Sequence, residues 1–166
     1  MSLILSLDEG TTSARAALYD RDGRCVALEA CPVPCRYPQP GWVEQDAVEI
    51  WTAQLAAARQ AIERAGSPPI HAIGIANQRE TTVVWERSSG RPVAPAIVWQ
   101  CRRTAEECAR LAASPADEVI ARKTGLVVDA YFSASKIRWI LDRVPDGPAR
   151  ARDGELLFGT VDTWLL

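Results

Sequence analysis

The stretch "LILSLDEGTTSARAALYDRDGRCVALEACPV", residues 3–33, holds three apolar runs separated by two polar breaks. "LILSL" suits a buried strand, "ARAALYD" a second and "RCVALEACPV" a third, with "RDG" as the tight turn between the last two. Three sequential strands joined by short turns predict an antiparallel meander. The first break is richer than a turn requires, because it places an acid, a glycine and three hydroxyl residues in succession. Gly10 can take a positive φ and expose backbone N–H groups, while Thr11, Thr12 and Ser13 add hydroxyl donors; such a nest holds phosphate oxygens. Asp8 at the strand end could hold a magnesium ion, directly or through water, and Arg15 could supply positive charge. The alternative is a hairpin turn whose hydroxyls bond their own backbone. On these residues alone both readings stay open.

Beyond the meander, "CRYPQPGW" reads as a loop. A helix is predicted from Asp46 to Ala65, where Val48, Trp51, Leu55, Ala58 and Ile62 recur at spacings of three and four and are expected to form one buried stripe. Asp46 can cap its first turn with Glu49 three residues on, and Gly66 with Pro68 and Pro69 stops it. "IHAIGIANQ", "ETTVVWER" and "APAIVWQ" are three more strand candidates, with a turn at "SSGRP". Residues 102–113, 117–123 and 133–144 look helical, Pro115 opening the second and Ile137, Ile140, Leu141 and Val144 sharing a face of the third. Strand "ELLFG" and a helical turn in "TVDTWLL" come last. This order predicts a mixed α/β layer fold with the meander on one side. The apolar "DTWLL" has no helix-ending glycine or proline, so the chain is expected to be cut within a larger domain.

At 166 residues, with 48% apolar residues and a net charge of −2, the chain can bury one ordinary core. Interspersed charges exclude an extended field for nucleic acid or an anionic membrane. The apolar runs are too short to span a bilayer, and "MSLILSLDEG" lacks the basic start of a signal peptide. A cytoplasmic protein is expected. The five cysteines, Cys25, Cys31, Cys35, Cys101 and Cys108, are an odd number without CxxC spacing, and with only His71 beside them they are expected to be reduced.

Polar residues also gather in residues 77–80 and 129–136, at the ends of apolar runs, where α/β folds build sites. Arg79 offers a donor fork and Glu80 an acceptor, which suits a small polyhydroxy ligand, although an ordinary surface ion pair has the same spacing. Trp85, Trp99 and Tyr131 could lay apolar faces against its carbons, or belong to the core.

The segments "DEGTTSAR", "GWVEQDAVEIW", "GIANQRETTVVWE", "AIVWQCRRTAEEC", "KTGLVVDAYFSASKIRWILD" and "GELLFGTVDTWLL" resemble, in order, successive segments of the glycerol kinases, which are FGGY carbohydrate kinases. The resemblance runs from Leu7 to Leu166 with nearly the same spacing. It implies a ribonuclease-H-like, actin-like ATPase fold, with residues 1–166 as the truncated N-terminal part of the first kinase domain and the rest of that domain and the C-terminal domain outside. It also implies ATP-dependent phosphorylation of glycerol to sn-glycerol 3-phosphate with Mg2+. Under it Thr11, Thr12, Ser13 and Arg15 become nucleotide-phosphate contacts and Asp8 the acid near magnesium. Arg79, Glu80 and Tyr131 become the glycerol hydrogen-bonding set, with Trp99 as its apolar wall. No catalytic residue is assigned, because the family's aspartate base is expected beyond Leu166; the 166 residues alone are expected to be inactive. An FGGY kinase for another polyol or sugar and a non-catalytic ligand-binding relative remain as alternatives, and homo-oligomer formation stays open. Glu9 departs from the family's usual glutamine, so the turn is expected to carry an extra negative charge near the phosphates. Further departures are Ala76, Ala130 and the "ASK" of Ala134–Lys136 where the family usually has "GTK".

Overall fold

The computed structural model describes residues 3–166. They fall into two compact units, one containing the described residues up to Cys35 together with Gln45–Arg79 and Val161–Leu166, the other containing Arg36–Glu44 and Glu80–Thr160.

The first unit is built on the predicted meander. Strands β1 (Leu3–Glu9), β2 (Ser13–Tyr19) and β3 (Cys25–Pro32) are antiparallel neighbours. The strand β5 (Ile70–Asn77) adds to the other side of β1 in parallel, giving the order β3-β2-β1-β5. A parallel pair needs a crossover. Helix α1 (Ala47–Arg64) supplies it and packs on the meander, where Ala57, Ala58 and Ala61 meet Leu3, Leu5, Ala16, Leu18 and Ala27. Asp46 caps α1 as expected, accepting from the N–H groups of Val48 at 2.8 Å and Glu49 at 3.2 Å.

The buried face of α1 differs from the one its spacing suggests. Ala47, Ile50, Gln54, Ala57, Ala58 and Ala61 face inward, whereas Val48 and Trp51 are 53% and 43% exposed. Alanines let the helix approach the sheet closely, so the small residues take the contact and the larger Ile62 packs at its margin. The apolar strand β5 is likewise more open than its composition suggests, Ile73 being 61% exposed, because it is the outer strand of this sheet. Helix α6 (Val161–Leu165) belongs to the same unit, where the Trp164 indole N–H donates to the Ala47 carbonyl at 2.7 Å.

In the second unit the expected strands are short. Strand β6 (Val83–Glu86) pairs antiparallel with β8 (Leu156–Gly159), and Thr82 exchanges two 3.0 Å backbone bonds with Ile97 of β7 (Ala96–Ile97). The short β4 (Glu44–Gln45) ends the loop before α1. Helices α2 (Ala105–Ala112), α3 (Ala116–Thr124) and α4 (Ser133–Leu141) lie where predicted. A fourth helix, α5 (Gly147–Arg152), falls on residues to which the sequence reading assigns no element. Gly147 makes it possible: a Cβ there would meet the Leu141 carbonyl oxygen at 2.2 Å. The Arg103 guanidinium is buried over the rings of Trp42 at 4.0 Å and Trp139 at 4.7 Å and pairs with Glu44 at 2.8 Å.

Candidate functional site

The hairpin residues Asp8–Arg15 lie in the first unit, as does Arg79, whereas Glu80, Trp99 and Tyr131 lie in the second. In the first, the Gly10 N–H donates to the Ser13 carbonyl at 3.0 Å and closes the β1–β2 hairpin. Gly10 does this without a positive φ. Its requirement is close approach, since a Cβ would sit 3.1 Å from the Ser13 carbonyl oxygen.

Four consecutive carbonyls of the hairpin are held by protein donors. The Gln78 N–H donates to the Glu9 carbonyl at 2.6 Å and the Gln78 amide to that of Gly10 at 3.3 Å. The Gln45 amide donates to the Thr11 carbonyl at 2.8 Å, and the Val33 N–H to that of Thr12 at 3.0 Å. Gln45 in turn accepts from Gln78 at 2.8 Å, and the α1 residue Gln54 donates to the Arg15 carbonyl at 2.9 Å. With its carbonyls engaged, the hairpin keeps the N–H of the exposed Thr12 without a partner among the described residues. Asp8 and Arg15 face each other across the strands, joined at 3.0 Å through Asp8 Oδ2, each side chain 49% exposed. Such an exposed pair contributes little to stability. The other carboxylate oxygen, Oδ1, has no partner among the described residues. The donors and the free carboxylate oxygen therefore fit a phosphate with a divalent cation.

Glu9 does not lie in the turn, contrary to expectation. It is the last residue of β1, on the face opposite Asp8, fully buried, and neither carboxylate oxygen has a hydrogen-bond partner. Burial, and after it the neighbouring charge of Asp8, pushes its carboxyl up from 4.5 to about 8. At neutral pH Glu9 is mostly an uncharged acid, so the extra negative charge expected beside the phosphates is largely absent.

Gln45, Gln54 and Gln78 escaped the reading from sequence. Their one signal was polar residues at positions that turn out buried, Gln54 on the inner face of α1. Replacing Gln45 with leucine leaves the Thr11 carbonyl with only the weak Cys35 thiol donor at 3.5 Å and removes the acceptor of a Gln78 amide proton. It is expected to lower unfolding stability by about 1–3 kcal/mol, read as an earlier urea midpoint. A midpoint equal to the wild type would refute the anchoring role. Arg79 follows β5, is exposed, and has no side-chain bond among the described residues.

In the second unit, Glu80 stands in the left-handed region at φ 66. A non-glycine residue persists there only when its surroundings over-determine it. Its carbonyl accepts from the Lys136 ammonium at 2.9 Å, the Thr82 hydroxyl at 3.2 Å and the Ser133 hydroxyl at 3.3 Å. Its carboxylate accepts from the Ser133 N–H at 3.1 Å and the Ser133 hydroxyl at 2.9 Å, both at Oε2. The other oxygen, Oε1, has no partner among the described residues and remains an acceptor.

Tyr131 meets Trp99 edge to face, with centroids 5.9 Å apart at 67°, and Phe132 at 5.2 Å and 86°. The Asp129 carboxylate accepts from the Tyr131 N–H at 2.8 Å and pairs with Arg102 at 2.8 Å. The Arg102 guanidinium holds the Asp129 carboxyl below the usual range. Trp85 instead takes a place in β6, opposite Leu157.

Lys136 on α4 is fully buried, and its ammonium also donates to the Tyr131 carbonyl. Burial pulls its pKa down to about 8, against the opposing pull of the Glu80 carboxylate. Lys136 and Ser133 fall in the polar stretch 129–136 located from sequence but were given no role there. The signal was present: Lys136 lies four residues before Ile140, on an otherwise apolar helix face.

The model of the FGGY family of carbohydrate kinases, N-terminal domain, matches residues 3–166. Among curated relatives, glycerol kinase from Chromobacterium violaceum is 57% identical over 165 residues, 98% of this chain and 33% of that protein. Glycerol kinase 2 from Thermotoga maritima is 55% identical over 168 residues, 100% of this chain and 34% of that protein. The chain thus spans about a third of the length of the curated relatives it matches. Plasmodium falciparum glycerol kinase, crystallised with ADP, superposes with a TM-score of 0.95 at 34% identity, covering 99% of this chain and 33% of that one. Xylulose kinase from Rhodospirillum rubrum shares the fold with a TM-score of 0.86 at 24% identity, covering 98% and 33%. These neighbours place the mixed sheet and its helices in the actin-like ATPase fold. The chain belongs to the FGGY family of carbohydrate kinases.

Proposed function

We propose that the protein to which this chain belongs phosphorylates glycerol with ATP, giving sn-glycerol 3-phosphate and ADP, and that the chain is the N-terminal part of its first kinase domain. The observation that carries this reading is the conformation of Glu80. Its backbone is held in a strained region by three donors, and its carboxylate is bonded at one oxygen only, leaving Oε1 to accept from a ligand hydroxyl. The Trp99–Tyr131 pair supplies the apolar surface that a carbon chain needs. The resemblance implies a donor role for Arg79. Thr11, Thr12, Ser13 and Arg15 would contact the nucleotide phosphates and Asp8 would hold Mg2+, which when bound neutralises charge on the phosphate oxygens. The anchored carbonyls of the hairpin keep its donors in place without reorganisation.

In the transfer, a terminal glycerol oxygen bonds to the γ-phosphorus as the bond to the bridging oxygen of ADP breaks, and the hydroxyl proton passes to a base. The resemblance implies an aspartate beyond Leu166 as that base. ADP release coupled to glycerol, measured on the full-length protein against a panel of polyols and sugars, tests the reading. Preference for a pentulose or a sugar acid would overturn glycerol in favour of another FGGY substrate. Identity of 52–57% to glycerol kinases among the curated relatives favours glycerol. No helix among the described residues is long and apolar enough to cross a membrane. Five free cysteines suit a reducing cytoplasm.

A further inference from the structure

Lys136 is fully buried, and it carries a charge. Buried ammonium groups are costly unless fully used. This one spans two loops: it donates to the carbonyl of Glu80 at 2.9 Å and to that of Tyr131. Those loops present the free carboxylate oxygen and the aromatic ring of the same candidate polyol set, and they are 51 residues apart in sequence. The helix that carries Lys136 also carries Ser133, whose N–H and hydroxyl fix the Glu80 carboxylate. One turn of α4 therefore controls both the backbone and the side chain of Glu80.

We propose that Lys136 is a positioning residue for polyol recognition: it ties the Glu80 and Tyr131 loops together, and so sets the distance between the acceptor and the apolar surface that receive the substrate. The proposal rests on the glycerol reading of this set. It separates the residue's effect from general stability, because a lost tie between these loops displaces substrate contacts while leaving the hairpin of the other unit unchanged.

The test uses steady-state kinetics of the full-length protein with glycerol and Mg·ATP. Lys136→Met is expected to raise KM for glycerol by about 10–100-fold, with KM for ATP within twofold of the wild type. In a Glu80→Ala background the same substitution is expected to add less than threefold, since the group it positions is gone. A Lys136→Met protein with wild-type KM for glycerol overturns the proposal, as does an equal loss in both backgrounds. Should Lys136→Met fail to accumulate as folded protein, Lys136→Gln, which keeps amide donors on a stem one atom shorter, is measured in the same two backgrounds against the same outcomes. Failure of the wild type itself to turn over glycerol while phosphorylating another polyol overturns the glycerol reading instead; the Lys136 comparison is then decided with that polyol.

Discussion

Glu80→Ala is expected to lower kcat/KM for glycerol by about 100-fold in the full-length protein, with KM for ATP unchanged, because one charge-assisted hydrogen bond is worth roughly 1.5–3 kcal/mol. The backbone demand at φ 66 is the same for alanine and glutamate, so the change reports the carboxylate. Glu80→Gln separates two parts of the effect. It retains an oxygen for Ser133, and so the local fold, but turns a donor toward the ligand hydroxyl that Oε1 would accept from. A similar kinetic loss with wild-type thermal stability is expected. Activity of Glu80→Ala within threefold of the wild type would remove Glu80 from the substrate set.

Glu9→Gln is expected to stabilise the protein by up to about 5 kcal/mol at pH 8, and by almost nothing at pH 4. The folded carboxyl titrates near 8 and the unfolded one near 4.5. Between those values the unfolded state has released a proton that the folded state still holds, so wild-type stability falls as pH rises from about 4.5 to about 8 and stays low above it. Glutamine matches the size of the protonated acid and leaves equally unpaired polar atoms, so the substitution removes the ionisation alone. Urea unfolding of both forms at pH 5, 7 and 8.5 measures the difference. Parallel stability curves across that range would mean that Glu9 reaches water or a partner.

The two predictions draw on parts of the chain that differ in how readable they were. The meander, the cap at Asp46 and the ends of α1 follow from local rules, apolar runs, turn residues and a short polar side chain accepting from free N–H groups, all within a few residues. The candidate hairpin and the Glu80 loop were located for the same reason, as polar clusters at strand ends. The inward face of α1 was misread because periodicity marks a helical stripe without saying which margin of it meets the sheet. The closeness that alanine permits decided that in favour of Ala57, Ala58 and Ala61.

What the sequence by itself determined was the order of elements, the β1–β2 hairpin with its hydroxyl residues, and, through the resemblance of six ordered segments, the kinase family. Only the tertiary structure decided which polar groups are buried. Gln45 and Gln78 come to the hairpin carbonyls, Lys136 joins two loops that are far apart in sequence, and Glu9 loses its charge at neutral pH. Each of these depends on desolvation and on partners brought in from distant positions, and neither quantity is a property of a residue and its sequence neighbours.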